Sequence, residues 1–205
     1  MKVLLLNGSP HKTGCTYTAL CEVEKTLNEN GVDTEIVWIG NGAIHGCIAC
    51  GGCKTTGKCV FDDGVNEISE KMEECDGFVV GTPVYYASPN GSLYSLLDRL
   101  FGICPHLAHK PAAAIASARR GGTTASLDGL NKYFTIRQMP VVSSTYWNMV
   151  HGNCPEDVMQ DKEGLQTMRN LGRNMAWLIK CITAGKNAGI NIPEAETATK
   201  TNFIR

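Results

Sequence analysis

Apolar positions along the chain alternate between two rhythms. Val3, Leu4, Leu5 and Leu6 run without a polar break, which predicts a strand buried on both faces of a parallel sheet. Tyr17, Leu20, Cys21, Glu24 and Leu27 then recur at helical spacing, with Gly31 as a stop. Residues 34–39 read as a second strand, placed towards an edge by Asp33 and Glu35. Val65, Ile68 and Met72 mark a short helix, and residues 77–81, with Phe78, Val79 and Val80, a third strand. Leu93, Leu96, Leu97, Leu100 and Phe101 form the stripe of the next helix. Pro111 opens a fourth strand at 112–116, followed by a helix through Leu127, Leu130 and Phe134. Residues 141–143 give a short fifth strand, and Leu165, Met168, Leu171, Met175, Leu178 and Ile182 a last helix. Beyond Gly185 the chain is polar with no period, a tail over 186–205 that wraps the surface or a partner subunit. Five strands alternating with helices make an α/β fold, a doubly wound parallel sheet with right-handed crossovers in one domain over 1–185.

Composition narrows the function classes. A chain of 205 residues fits a single domain of this kind. Its formal net charge of -1 gives no drive towards nucleic acid or acidic membranes. No secretory segment or membrane-length apolar run is legible, so a cytoplasmic protein is expected. Ten cysteines in such a chain point to thiolate chemistry, metal ligation or buried thiols before structural disulfides.

The loop after the first strand carries the clearest chemistry. Asn7, Gly8, Ser9, Pro10, His11, Lys12, Thr13, Gly14, Cys15 and Thr16 form a turn of small and hydroxylated residues opening a helix. Free amides and the positive end of the helix dipole make that place an anion site. The triphosphate loop GxxxxGK is missing its lysine, because Cys15 follows Gly14, and the dinucleotide pattern GxGxxG is absent. Hydroxyls around one terminal phosphate suit a mononucleotide, with FMN the leading candidate. An ordinary turn capped by Thr13 or Thr16 is the alternative. The loops after strands one, three and four should meet on one edge, where such sheets bind ligands.

The combination of Gly8, Ser9 and Pro10 through Cys15 and Thr16, then Gly81, Thr82, Pro83, Val84, Tyr85 and Tyr86, then Asp98 and Arg99, resembles the flavodoxin-like NADPH-dependent FMN reductase family. The cysteines described below narrow the resemblance to its iron-sulfur flavoprotein branch. It implies a three-layer sheet of order 2-1-3-4-5, FMN as cofactor and NAD(P)H as co-substrate. Carried over, Ser9, His11, Gly14, Cys15 and Thr16 would hold the FMN phosphate. Pro83, Val84, Tyr85, Tyr86 and Ala87 would wrap the isoalloxazine, and Ser117, Arg119, Arg120, Gly121 and Gly122 would border its pyrimidine side. Tyr85 and Tyr86 suit stacking on a planar ring, or are rim aromatics. Arg119 or Arg120 could stabilise the reduced ring near N1 or meet the 2'-phosphate of NADPH; a solvated pair before a helix capped by Thr123 or Thr124 is the alternative. Hydride transfer to flavin needs no protein nucleophile, so no catalytic acid or base is expected.

Cys47, Cys50, Cys53 and Cys59 read CxxCxxCx5C in a loop over 40–63, interleaved with Gly46, Gly51, Gly52 and Gly57. This compact spacing fits a [4Fe-4S] cluster. Structural zinc, or free thiols in which Cys53 and Cys59 pair, remain open. Following the second strand, the loop should share the flavin edge. Cys21, Cys75, Cys104, Cys154 and Cys181 read as small buried apolar groups. Cys15 sits in the site, where the helix N-terminus should lower its pKa. The aromatic stretch 146–152 reads as a subunit contact in a homodimer or homotetramer, or as a loop folded back onto its own sheet. The expected activity is electron transfer between NAD(P)H or a reduced carrier and a small-molecule or redox-protein acceptor; a non-enzymatic shuttle and a zinc-bound structural module are the rivals.

Overall fold

The structure, a computed structural model, describes residues 1–201 and 203; the other residues of the expected tail lie outside the described residues. Strand β1 (Lys2–Asn7) lies at the centre of the sheet, with Val3 to Leu6 fully buried. It pairs in parallel with β2 (Asp33–Trp38) on one side and β3 (Gly77–Tyr85) on the other. β3 folds back on the two-residue β4 (Ser88–Pro89) and pairs in parallel with β5 (Ala112–Ala118), which pairs with β6 (Met149–His151). With the β4 hairpin set aside, the five parallel strands follow the 2-1-3-4-5 order.

Side-chain alternation assigns the two faces. Leu4, Leu6, Phe78, Val80, Ala112 and Ala114 meet α3 (Val65–Glu74), α4 (Gly91–Ile103) and α5 (Thr123–Ile136). Val3, Leu5, Val79, Ala113 and Ile115 meet α1 (Cys15–Glu29) and α7 (Lys162–Asn187), with α6 (Pro155–Gln160) adding Val158. The remaining helix, α2 (Cys53–Thr56), is a single turn in the cysteine loop. α1 ends as its glycine dictates: Gly31 takes φ +72°, and Val32 and Gly31 donate back to Leu27 and Asn28 at 3.0 Å. Its buried face is Thr16, Ala19, Leu20, Val23, Thr26 and Leu27, rotated from the expected stripe, which leaves Tyr17 and Glu24 at its border. No helix among the described residues is long and apolar enough to cross a membrane.

Several boundaries differ from the sequence pattern: β2 starts and ends one residue earlier than 34–39, and β5 runs two residues past 116. β3 runs past Gly81 to Tyr85, because β5 goes on pairing with Thr82 and Pro83 and β4 pairs with Val84 and Tyr85. The fifth strand is not 141–143: Val141 makes only an isolated bridge to Ala112, and the strand is Met149–His151. Between them the Ser144 hydroxyl meets Tyr146 O and Asn148 Oδ1, both at 2.7 Å, folding the segment into a turn that lifts it off the sheet edge. The last helix outruns Gly185 by two residues.

Glu35 fastens β2 to its neighbours, with Lys2 Nζ at 2.6 Å and Lys71 Nζ at 2.5 Å. The hydrogen bonds from Lys2 and then Lys71 hold its carboxyl below the usual range. A depressed carboxylate stabilises above its unfolded pKa and loses that contribution as pH falls through the folded value. Glu35→Gln should therefore lower Tm at pH 7, and the gap to the parent should narrow as pH falls below the ordinary carboxylate range; thermal melts at neutral and acid pH check it.

Candidate functional site

The turn between β1 and α1 is shaped by Asn7, which is fully buried. Its Oδ1 accepts from Ser9 N at 3.1 Å and its Nδ2 donates to Lys12 O at 3.1 Å, so one side chain closes the turn from inside. Trp38, the last residue of β2, donates from Nε1 to Ser9 O at 2.7 Å. The Ser9 hydroxyl accepts from His11 N at 3.1 Å. Gly14 is the N-cap residue, extended and without a side-chain cap; neither Thr13 nor Thr16 caps the helix. Among the described residues, the N–H groups of residues 12–17 donate to no backbone or side-chain oxygen. They converge on the positive end of a 15-residue helix.

The other loops close on this turn. Gly8 N donates to Gly81 O at 2.8 Å. Asn90 ties three elements: its Oδ1 caps α4 through Ser92 N, its Nδ2 donates to Gly8 O at 2.8 Å, and its own N–H reaches the Thr82 hydroxyl at 3.0 Å. The Thr16 hydroxyl lies buried 2.8 Å from the Ser117 hydroxyl, so these two predicted site residues stitch α1 to the end of β5. Tyr86 and Ala87 form the two-residue turn between β3 and β4 at φ +50° and +58°. Tyr85 and Ala87 are exposed and Tyr86 wholly so, while Pro83 and Val84 are half-buried. Gly122, at φ +94°, presses on that hairpin so closely that a Cβ would stand 2.8 Å from Ala87 Cα.

Ser117 is buried, whereas Arg119, Arg120 and Gly121 are exposed at the same rim. His151, which ends β6, places Nε2 3.1 Å from Arg120 O, and its N–H donates to Asp161 Oδ2 at 2.7 Å. Thus residues 8–16, 82–90 and 117–122 line one rim, joined by β6. No motif marks Asn90, and Asn7 and His151 enter the sequence reading only as members of the first loop and of the stretch 146–152, without these roles. The Asn90-Gly91 pair before an apolar stripe was the available signal for Asn90, as a helix N-cap.

The expectation for Cys15 is overturned. Burial pushes its thiol pKa up, a backbone hydrogen bond opposes this, and Cys154 adds to the rise. The Sγ instead sits 3.7 Å from Gly152 O. Of the other scattered cysteines only Cys75 and Cys104 are buried; Cys21 and Cys154 are half-buried and Cys181 is exposed.

Cys47, Cys50, Cys53 and Cys59 all line one cavity of about 80 Å³, with Ile48, Val60, Phe61, Arg99 and Ile103 among its walls. Among the described residues no three His, Cys, Asp or Glu side chains gather round a point that could hold a metal ion. The cavity is not at the expected rim. It borders Asp98 to Ile103, in the second half of α4. Counting from Asn90, which touches the turn before α1, that is about 12 to 20 Å along the helix at 1.5 Å per residue. The backbone has room for this path through Gly51 and Gly57 at φ +74° and +70°. Asp63 pins the loop, accepting from His45 N at 3.0 Å and from both guanidinium nitrogens of Arg99. Burial alone would raise the Asp63 carboxyl, but the bonds from Arg99 and His45 outweigh it and hold it below the ordinary range.

Comparison with known proteins bears on the family and the fold. The sequence profile of the NADPH-dependent FMN reductase family matches residues 1–153. An iron-sulfur flavoprotein of Methanocaldococcus jannaschii is 35% identical over 191 residues, covering 89% of this chain and 99% of its own. Another, from Methanosarcina thermophila, is 28% identical over 193 residues, covering 91% and 100%. Among solved structures, a flavodoxin from the domain Archaea superposes with a TM-score of 0.61 at 14% identity, covering 88% of this chain and 99% of that one.

Proposed function

For a chain that belongs to the NADPH-dependent FMN reductase family, in its iron-sulfur flavoprotein branch, we propose an FMN-dependent oxidoreductase that draws electrons from NAD(P)H or a reduced carrier. Its acceptor is a small molecule or a one-electron redox protein, and the cysteine loop carries a [4Fe-4S] cluster. The family itself is one of FMN-dependent oxidoreductases. The observation that carries the reading is the turn over 12–17, whose amides are unpaired at a helix N-terminus beneath two further loops.

The residues fit FMN. The amides of residues 12–17, with the Ser9 hydroxyl and the exposed His11 and Lys12 beside them, suit a dianionic phosphate. The hairpin of Pro83 to Ala87 and the turn of Ser117 to Gly122 stand where a planar ring leaving that phosphate would lie. Gly122 lets them approach each other. Bound there, FMN accepts a hydride as two electrons and can release them singly, and a [4Fe-4S] centre exchanges one at a time. His151 holds the carbonyl of Arg120 and so orients the arginine turn. Arg119 and Arg120 then present fork-shaped donors for the reduced ring or for a 2'-phosphate of NADPH. Tyr86, Tyr146 and Trp147 leave large aromatic surfaces exposed, which supports a homodimer or homotetramer that covers the ring and brings a neighbour's cysteine loop towards it.

The cysteine cavity supports iron-sulfur over zinc. A mononuclear zinc with bonds of about 2.3 Å needs its thiolates drawn to one point, whereas four thiols spaced round a cavity suit a group with one iron for each. All ten cysteines are unpaired, which supports work in a reducing compartment such as the cytoplasm.

Anaerobic purification followed by flavin, iron, sulfide and zinc analysis tests the reading. One FMN and about four irons per chain with matching sulfide are expected, together with rapid bleaching of the flavin by NADPH or NADH. A colourless zinc protein overturns it. A yellow protein that a reduced ferredoxin bleaches but that shows no steady-state NAD(P)H oxidation with quinone, dye or ferric acceptors would be a passive carrier.

A further inference from the structure

Arg99 is the single charged residue that the described part of the chain buries, at 4% exposure. A guanidinium in such a place must be fully partnered, because desolvating it costs several kcal/mol at least. Asp63 meets it as a fork, with Nη1 2.9 Å from Oδ1 and Nη2 2.7 Å from Oδ2. Nε donates to Ser95 O at 3.3 Å. A buried pair of this kind is a poor device for stability alone, since apolar side chains of equal size often serve as well. The remaining contact gives it another purpose: Nη1 also stands 3.4 Å from Cys59 Sγ. Phe61, whose ring centroid is 5.6 Å from the guanidinium carbon, covers the group and keeps water from it.

Resting on the iron-sulfur reading above, we propose that Arg99 is the tuning residue of the cluster, donating to the Cys59 sulfur and setting its reduction potential, with Asp63 fixing the guanidinium and moderating its charge. A cluster that takes up one electron gains one negative charge, spread largely over its sulfurs. A fixed donor at one ligand sulfur stabilises that added charge, in a cavity whose low polarity keeps water from doing the same. The position is legible in the fold because α4 offers Arg99 to the cysteine loop while its neighbours Leu96, Leu97 and Leu100 stay in the core.

The test is a titration of the anaerobic holoprotein with dithionite as the electron donor, following the cluster by EPR. Arg99→Gln is expected to weaken electron uptake at least tenfold, which is about 59 mV towards negative potential for one electron. Asp63→Asn leaves the guanidinium at Cys59 without its countercharge and should move the midpoint the other way. A full-iron Arg99→Gln protein with an unchanged midpoint overturns the proposal. Should that variant lose its iron, Asp63→Asn decides, and a midpoint that does not rise overturns it. A parent protein without iron and sulfide removes the iron-sulfur reading first, and this assignment with it, so the two failures are told apart by the metal analysis.

Discussion

Replacing Gly122 by alanine is expected to weaken FMN binding at least tenfold and to destabilise the fold, while the same change at Gly121 should do neither. Gly122 takes φ +94°, and an added Cβ would stand 2.8 Å from Ala87 Cα and 2.9 Å from Val84 Cγ1. A left-handed position costs a residue with a Cβ about 1 to 2 kcal/mol. Forcing a methyl into a filled gap costs typically about 1 to 3 kcal/mol more. Neither side can move freely. The turn at Tyr86 and Ala87 already holds two left-handed residues, conformations that persist only where the surroundings over-determine them, and it is anchored through Thr82 and Asn90 to Gly8 in the phosphate turn. Displacing the hairpin would thus disturb the proposed ring contact and strain the phosphate contact together. A Cβ on Gly121 meets nothing within 4 Å, and its φ lies outside the left-handed range, which makes it the internal control. FMN fluorescence quenching and urea melts on both variants give the answer; equal FMN affinity in Gly122→Ala would remove the 117–122 turn from the flavin site.

The elements legible in the sequence were those whose burial is unconditional. Val3 to Leu6 and Phe78 to Val80 are covered on both sides whatever the loops do, and a run of apolar residues records that directly. β6 escaped because its burial is conditional: Met149 and His151 alternate about a single core residue, Val150, and three residues give too little pattern to outweigh the more apolar 141–143. The rim was legible as loops but not as a machine. Asn7 and Asn90 look like ordinary turn residues in one dimension; Asn7 closes its own turn from inside, and only the three-dimensional approach of Gly8 to Gly81 makes Asn90 a brace between segments 82 residues apart. Cys15 misled because dipole and burial act oppositely on a thiol, and the sequence displays only the first. For Cys47 to Cys59 the spacing showed that thiols could share a group, but loop length alone left its direction free. The Arg99 fork on Asp63 draws the loop along α4 and away from the rim.

That separation predicts that the two redox groups can be removed one at a time. Cys50→Ala should lower bound iron to below a tenth of the parent value, since losing one of four thiolates both opens a coordination position and lets water reach the cavity. Cys50 is exposed and packs no core, so the loss would report ligation and not collapse of the domain. FMN content and the rate of flavin bleaching by NAD(P)H should stay within about twofold of the parent, because the turn before α1 lies about 12 Å or more from the cavity along α4. It is held by Asn7, Trp38 and Asn90, none of which touches the cysteine loop's cavity. Transfer from flavin to an acceptor that takes single electrons through the cluster should fall at least tenfold. Iron, sulfide and flavin analysis beside single-turnover kinetics separates the cases. Joint loss of iron and FMN would mean that the loop closes over its own chain's flavin, contrary to the distance along α4; iron retained in full would place a different residue among the ligands. A selective loss of iron would leave the turn before α1 and the cysteine cavity as independent sites, one braced at the start of α4 by Asn90 and the other along its second half.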